Sequence, residues 1–190
     1  NSRAYADAGP MFQELARLSG WVPVVACFLG AGFAANTNYA GMADFVVMVR
    51  GKATMGIAGP ALVKAGTGEV ITAEALGGAS TQVDRHGLAD LGVESEEAAF
   101  EAVQRFLSYL PSNARAQAPL LEAPRGDDAD AVARAESLLT AVPSNTRQSY
   151  DVRPVIDAIA DPGTVLELKP TFAANLVTAF ARLGGRPMGF

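Results

Sequence analysis

The sequence has little of what side-chain catalysis and metal binding usually need: its 190 residues include one cysteine and one histidine. A disulfide framework and any Cys/His zinc site are thereby excluded, because such a site needs several of these ligands. A Ser-His-Asp relay could be built only around His86, which lies in a polar stretch and is predicted to be a surface residue. We therefore expect no metal in this chain.

Positive charge and long apolar runs are also scarce. Lys and Arg total 15 against 20 Asp and Glu, a net charge of −5, so no basic surface favours nucleic acid or an anionic membrane. The longest apolar run, residues 21–35, is interrupted by proline and glycine and is too short to span a bilayer. The first fifteen residues contain no apolar signal-peptide segment. These features predict a protein that binds neither nucleic acid nor membrane. Because the chain starts at Asn1 without Met and stops at Phe190 inside a strand-like segment, it is interpreted as an internal fragment of a larger cytoplasmic protein.

Hydrophobic residues make up 49% of the chain, which is enough for one domain with a sizeable core or for pieces of two. Apolar runs in the first half predict strands, the first of them buried on both faces, at residues 22–29, 45–49 and 53–58. Helical spacing predicts helices at residues 11–18, 61–65 (ending at Gly66) and 94–110 (capped by Ser95). The first half is therefore predicted to be α/β.

The composition changes over residues 111–148 to alanine, proline, aspartate, serine and asparagine. This change indicates an inter-domain linker, with one helical piece at residues 129–139. Beyond the linker, Asp151 can cap a helix that runs to Ile159, and Gly184-Gly185 between two strand-like segments predicts a hairpin. The last 40 residues are interpreted as the opening of a second α/β unit.

A glycine turn is predicted at Gly30 and Gly32, where residues 30–35 fit the G-x-G-x-x-A fingerprint of dinucleotide-binding folds. Two features count against that reading: residues 36–39 are poor helix formers, and the next strand ends at Arg50 rather than at an acid. A ribose contact is then missing unless the cofactor is NADP. The alternative is a tight turn that serves packing alone.

Side chains offer few catalytic groups elsewhere. Cys27 lies in a predicted buried strand and should behave as a small apolar residue. Glu94, Glu96 and Glu97 crowd the first turn of a predicted helix, where they favour the helix dipole. Chemistry is therefore expected to depend on backbone amides, since glycine- and alanine-rich turns at strand ends can direct paired N–H donors at an oxyanion.

Several distinctive blocks resemble the carboxyltransferase (β) subunits of biotin-dependent acyl-CoA carboxylases, the propionyl-, acetyl- and methylcrotonyl-CoA type. The blocks are GIAGPALVKAGTGE at residues 56–69, EALGGA at 74–79, GLAD at 87–90, FLSYLPSN at 106–113, YDVR at 150–153 and FARLGGRP at 180–187. They occur in the family's order and cover essentially the whole chain apart from the linker.

The resemblance implies an α/β, crotonase-like (ClpP/crotonase) fold with two such domains per subunit. Residues 1–110 would be the C-terminal half of the N-terminal, acyl-CoA domain, 111–148 the linker, and 149–190 the start of the C-terminal, carboxybiotin domain. The implied reaction moves a carboxyl group from N1 of biotin to the α-carbon of a short acyl-CoA, such as propionyl- or acetyl-CoA. The implied partners are a biotin carboxylase, a biotin carrier and further copies of the same chain.

The family's Gly-Gly oxyanion donors fall on alanine and asparagine here. Ala34, Ala35 and Asn36 are the resulting candidates for backbone oxyanion donors. Alanine still donates its N–H, but its Cβ is expected to crowd the approach and to exclude positive φ. An adjoining wall of the acyl pocket is expected from Gly56, Ile57, Ala58, Gly59 and Pro60. The resemblance places the second oxyanion hole beyond Phe190, so the fragment alone is not expected to be active.

Two other readings remain open at this point. A biotin-dependent acyl-CoA decarboxylase would use the same oxyanion hole in reverse and would couple to a membrane pump. A non-catalytic structural subunit would tolerate the loss of the Gly-Gly pair.

Overall fold

The structure is a computed structural model that describes residues 8–122 and 128–190. These residues form two compact units. The first unit runs to Gln117 and also includes Lys169–Ala174, and the second comprises Ala118–Leu168 and Asn175–Phe190. Of the predicted linker, residues 123–127 lie outside the described residues.

The first unit is α/β. Its helices are α1 (Ala8–Leu18), α2 (Ala35–Ala40), α3 (Pro60–Thr67), α4 (Ala73–Gly77), α5 (Ala79–Gln82) and α6 (Glu96–Ser108). Its strands are β1 (Val25–Phe28), β2 (Ala31–Phe33), β3 (Phe45–Val49), β4 (Thr54–Gly56) and β5 (Leu91–Val93). A parallel sheet has the strand order β1-β3-β5, and β2 pairs with β4 in a separate parallel ladder.

The core of this unit is built around β3, the predicted strand at residues 45–49. All five of its residues are buried, because β1 and β5 flank it and α6 packs on it. The ring of Phe45 stacks on Phe106 of α6 with 4.5 Å between centroids. Burying each such side chain contributes about 1.5–3 kcal/mol. The apolar run therefore predicted both the strand and its burial.

The prediction that the first strand is buried on both faces was wrong for β1. The strand is at the edge of its sheet, and Val25, Ala26 and Cys27 are only half-buried while Phe28 is buried. A strand with one neighbour within the described residues cannot be covered as β3 is. Burial nevertheless raises the pKa of the Cys27 thiol, and the nearby charge of Glu96 acts in the same direction.

The predicted glycine turn at residues 30–32 is also wrong, because Gly32 is the middle residue of β2. A Cβ on Gly32 would lie 2.2 Å from the ring of Phe28, so this glycine is needed for close packing. Since a strand separates Gly30 from α2, these glycines do not open a helix as a dinucleotide fingerprint requires. Residues 36–39, expected to be poor helix formers, lie inside α2.

Two helix ends follow local rules. The Oγ of Ser95 accepts a hydrogen bond from the N–H of Ala98 at 3.1 Å, which confirms the predicted cap of α6. Helix α3 begins at Pro60 and ends at Thr67, and Gly68, with φ +77°, forms a left-handed cap after it. The predicted end at Gly66 was therefore two residues early.

The second unit contains α7 (Asp128–Ala141), α8 (Arg153–Ile159), β6 (Leu166–Leu168), β7 (Thr178–Leu183) and β8 (Arg186–Gly189). Strands β7 and β8 form the predicted antiparallel hairpin. The carboxylate of Asp161 accepts hydrogen bonds from the N–H groups of Gly184 and Gly185 at 2.9 and 2.7 Å, which fixes the turn. Asp151 accepts from the N–H of Arg153 at 3.0 Å, at the start of α8. Within the described residues, no helix combines the length and the apolarity that crossing a membrane requires.

Polar contacts connect segment 169–174 to the rest of the first unit. The ammonium of Lys169 lies 2.7 Å from a carboxylate oxygen of Asp90, whose other oxygen accepts the N–H of Val46 at 2.7 Å. The hydroxyl of Thr171 donates to Asp84 at 2.6 Å. These bonds attach a late segment of the chain to the start of the buried strand β3.

Asp84 also forms a two-pronged ion pair with Arg50, with both N···O distances 2.9 Å. The hydrogen bonds from Arg50, and then the one from Thr171, lower the pKa of the Asp84 carboxyl from 3.8 to about 2. Because the folded pKa is depressed, the stabilisation is present above pH 3.8 and is lost as the pH falls toward 2.

We expect Asp84→Asn to lower the free energy of unfolding by about 1 kcal/mol at neutral pH, the value typical of a partly exposed ion pair. The difference from the unsubstituted protein should shrink as the pH falls from 3.8 toward 2, as measured by urea unfolding at several pH values. The matched control is Glu14→Gln, which removes the exposed pair with Arg17 and should change stability little. If the difference in unfolding free energy between Asp84→Asn and the unsubstituted protein stays constant across this pH range, the lowered pKa of Asp84 is contradicted.

Candidate active site

The chain bends sharply at Ala34, between β2 and α2. This residue has φ +69° and ψ −130°, a conformation that L-residues other than glycine rarely adopt. The expectation that alanine excludes positive φ at this position was therefore wrong. Holding a non-glycine residue in such a conformation costs about 1–3 kcal/mol, so other contacts must stabilise the bend.

The main-chain amides around the bend differ in what they bind. The N–H of Ala34 donates to the carbonyl of Gly56 at 2.8 Å and continues the β2–β4 ladder, so it is not available to a ligand. The N–H groups of Ala35 and Asn36 have no acceptor in the described part of the chain. As the first two residues of α2, they also lack the acceptor that a preceding helical turn would supply. Of the three predicted donors, two are therefore free to bind an oxyanion.

A buried threonine connects the bend to both strands of the ladder. The Oγ1 of Thr37 accepts a hydrogen bond from the N–H of Gly56 at 2.7 Å. Its own proton can go to the carbonyl of Gly32 at 2.8 Å or to that of Gly56 at 3.1 Å. Thr37 was not among the predicted site residues. No local pattern indicated it, because its bond to Gly56 depends on the pairing of β2 with β4.

The predicted wall of the acyl pocket, residues 56–60, begins at this bend. Gly56 pairs with Phe33 and holds both Ala34 and Thr37, and a Cβ on Gly56 would lie 3.1 Å from the Phe33 ring. Gly59 also faces that ring, and Pro60 starts α3. The side chain of Ile57 is 68% exposed. The structure thus places the segment next to the candidate donors, and its role in binding an acyl group stays a prediction.

A cavity of about 380 Å³ lies beside the bend. It is bounded by consecutive residues of the β1–β2 region together with residues of α1, α2 and the turn after α2. They are Leu15, Val24, Val25, Ala26, Cys27, Phe28, Leu29, Gly30, Ala31, Gly32, Asn36, Tyr39, Ala40 and Ala43. Asn36 is the candidate donor that reaches it, while Ala34, Ala35 and residues 56–60 are not among its lining residues.

Neither the segment that contains the free amides nor the lining of the adjoining cavity includes a charged side chain. Residues 30–43 contain no acidic or basic side chain, and His86 is exposed, as predicted. Across residues 8–122 and 128–190, no group of His, Cys, Asp and Glu side chains is arranged to hold a metal ion. The hydrogen-bonding potential near the bend is therefore that of main-chain dipoles, which suits an oxygen that gains negative charge during a reaction.

Known proteins of one family are similar to this chain over nearly its whole length. The carboxyl transferase domain family matches residues 3–190. The α subunit of methylmalonyl-CoA decarboxylase from Veillonella parvula is 36% identical over 186 residues, which are 98% of this chain and 36% of that subunit. The propionyl-CoA carboxylase β chain from Cereibacter sphaeroides is 39% identical over 186 residues, 97% of this chain and 35% of its own length.

A solved structure extends the likeness to the fold. The crystal structure of transcarboxylase 12S, a hexamer assembly with hydrolysed methylmalonyl-coenzyme A bound, matches with a TM-score of 0.86 and 36% identity. The match covers 95% of this chain and 35% of that one. It confirms the predicted crotonase-like α/β fold. The chain spans about a third of the length of these relatives.

We expect Ala34→Gly to raise the free energy of unfolding by about 1 kcal/mol, because glycine relieves the strain at positive φ and keeps the N–H bond to Gly56. Urea unfolding of the two proteins measures the difference. The matched control is Ala35→Gly, one residue later in helical conformation, which should lower the free energy of unfolding by about 0.5–1 kcal/mol. Equal destabilisation by both changes would show that the bend at Ala34 is not strained.

Proposed function

This chain belongs to the carboxyl transferase domain family, and we propose that it is part of a biotin-dependent enzyme that moves a carboxyl group from carboxybiotin to the α-carbon of a short acyl-CoA. The structural observation that supports this most directly is the pair of free amides after Ala34, beside a cavity whose lining residues are all uncharged. Names of the relatives, which include propionyl-CoA carboxylase, support the same class of reaction.

The proposed role of this chain in catalysis is to bind a thioester oxygen. Loss of the α-proton from an acyl-CoA moves negative charge onto the thioester carbonyl oxygen. The N–H groups of Ala35 and Asn36 would donate hydrogen bonds to that oxygen more strongly as its charge grows, and so lower the barrier. Residues 56–60 would border the acyl group, with the exposed side chain of Ile57 nearest to solvent.

Biotin would supply the carboxyl group to be transferred. Its carrier and the biotin carboxylase are proposed partners, and none of the described residues is assigned to holding biotin. Self-association is proposed because the similar transcarboxylase 12S forms a hexamer. The assignment of residues 1–110 to an acyl-CoA domain, 111–148 to a linker and 149–190 to a carboxybiotin domain remains a proposal, as does a cytoplasmic location.

A decarboxylase is the second candidate. The observation that favours it is the similarity to the methylmalonyl-CoA decarboxylase α subunit. Binding of the same oxyanion would then help to break the bond between the α-carbon and the carboxyl group, which leaves as CO2. A sodium-pump subunit encoded alongside would favour this candidate.

The test uses the intact parent protein with its biotin-carrying partner. Propionyl-CoA or acetyl-CoA with carboxylated carrier should yield the carboxylated CoA thioester, detected by mass spectrometry. The decarboxylase would instead release CO2 from methylmalonyl-CoA and leave carboxylated carrier. If a folded sample turns over no short acyl-CoA in either direction, while the carrier partner still binds, the chain is part of a non-catalytic structural subunit.

We expect Ala35→Pro in the intact protein to lower kcat by about 100- to 1000-fold, the usual effect of removing one oxyanion donor. Proline lacks the N–H and fits the first position of a helix, where the N–H has no intrahelical acceptor. The measurement is steady-state carboxyl transfer, with circular dichroism to check folding.

The control for this change is Ala73→Pro, at the first position of α4 after the extended residue Thr72. It introduces the same ring at an equivalent helix position away from the bend and should leave kcat unchanged. Unchanged kcat in both variants would rule out the Ala35 amide as a donor.

A further inference from the structure

We propose that Thr37 is a positioning residue for the oxyanion donors, acting through its side-chain hydroxyl on the main chain that carries them. The inference rests on the proposed function, because it concerns the orientation of the Ala35 and Asn36 N–H groups. Thr37 is 6% exposed and lies in the first turn of α2, directly after the two donors.

The Thr37 hydroxyl forms hydrogen bonds with main-chain groups of two strands. It accepts the N–H of Gly56 at the end of β4 and donates toward the carbonyl of Gly32 in the middle of β2, at 2.7 and 2.8 Å. The first turn of α2 is therefore attached at one atom to both strands of the ladder. With the Ala34 N–H bonded to the Gly56 carbonyl, the two donors lie between two fixed points, Ala34 and Thr37.

This attachment replaces a missing cap. Ala34 occupies the N-cap position of α2 and has no side chain that can accept a hydrogen bond from the first turn. The strained conformation at Ala34 therefore needs a stabilising contact from elsewhere, and the buried side chain of Thr37, three residues later, provides one. Without the hydroxyl, the Gly56 N–H and the Gly32 carbonyl would lose a hydrogen-bond partner. A buried polar group left unpaired in this way lowers the free energy of unfolding by about 1–3 kcal/mol.

Valine has the shape of threonine without the hydroxyl, so Thr37→Val isolates the hydrogen bonds. The first turn of α2 is then free to shift, and a small displacement of reacting groups can cost about 100-fold in rate. In the intact protein we expect kcat for carboxyl transfer to fall about 10-fold or more, with the KM for acyl-CoA changed less than about 3-fold. Thr37→Ser keeps the hydroxyl and should retain most of kcat.

The matched control is Thr81→Val. Thr81 is also buried, and its hydroxyl donates to the carbonyl of Ala75 at 3.0 Å, away from the bend. The Thr81→Val variant should lose about as much stability as Thr37→Val but keep the wild-type kcat. If Thr37→Val keeps kcat, or if Thr81→Val loses as much, the positioning role is overturned.

Hydrogen exchange provides a readout that does not depend on activity. In Thr37→Val the hydrogen-bonded amides of Gly56, Thr37 and Asn38 should exchange faster than in Thr37→Ser, while the rest of the first unit is unchanged. If Thr37→Val does not fold, Thr37→Cys, whose thiol is a weaker donor and acceptor, should give an intermediate effect in both assays.

The two proposals fail in different ways. An intact protein that transfers no carboxyl group, yet shows the localised exchange, contradicts the function and supports the attachment by Thr37. An active protein whose exchange and kcat are the same in Thr37→Val and Thr37→Ser contradicts the attachment and leaves the function in place.

Discussion

The parallel pairing of β2 with β4 determines the geometry of the candidate site. The ladder continues one residue beyond β2, through the bond from the Ala34 N–H to the Gly56 carbonyl. Helix α2 starts at the next residue, so the whole change of direction falls on Ala34, which adopts positive φ. The bend leaves the amides of Ala35 and Asn36 without main-chain acceptors in the described chain, and these amides are the groups from which chemistry can be built.

The proposed site would need no catalytic side chains. A thioester oxygen that gains negative charge is stabilised by fixed main-chain dipoles, and such dipoles need no ionisation and no reorganisation during the reaction. Their value depends on position, which in this structure is maintained by uncharged contacts: the ladder, the Phe33 ring against Gly56 and Gly59, and the hydroxyl of Thr37. Charged groups act elsewhere in the first unit, where Asp84 accepts a hydrogen bond from Thr171 and Asp90 pairs with Lys169.

Local patterns predicted the elements whose causes are local. The run at residues 45–49 is apolar at every position and became the buried central strand, and Ser95 with the acidic residues after it correctly indicated the start of α6. Contacts between distant residues account for the errors. Burial of β1 depends on how many strands flank it, and Gly32 became part of a strand because Thr54–Gly56 is available to pair with it.

The sequence by itself determined the fold class, the family and the shortage of side-chain catalysts, because periodicity, composition and distinctive blocks of residues are properties of the chain in one dimension. It also identified Ala34, Ala35 and Asn36 as a group. Which of these three amides are free, and that the hydroxyl of Thr37 binds both strands of the ladder, was decided only by the tertiary structure. The physical reason is that a hydrogen bond to Gly56, some twenty residues away, uses the amide of Ala34, while the hydroxyl of Thr37 reaches the same glycine.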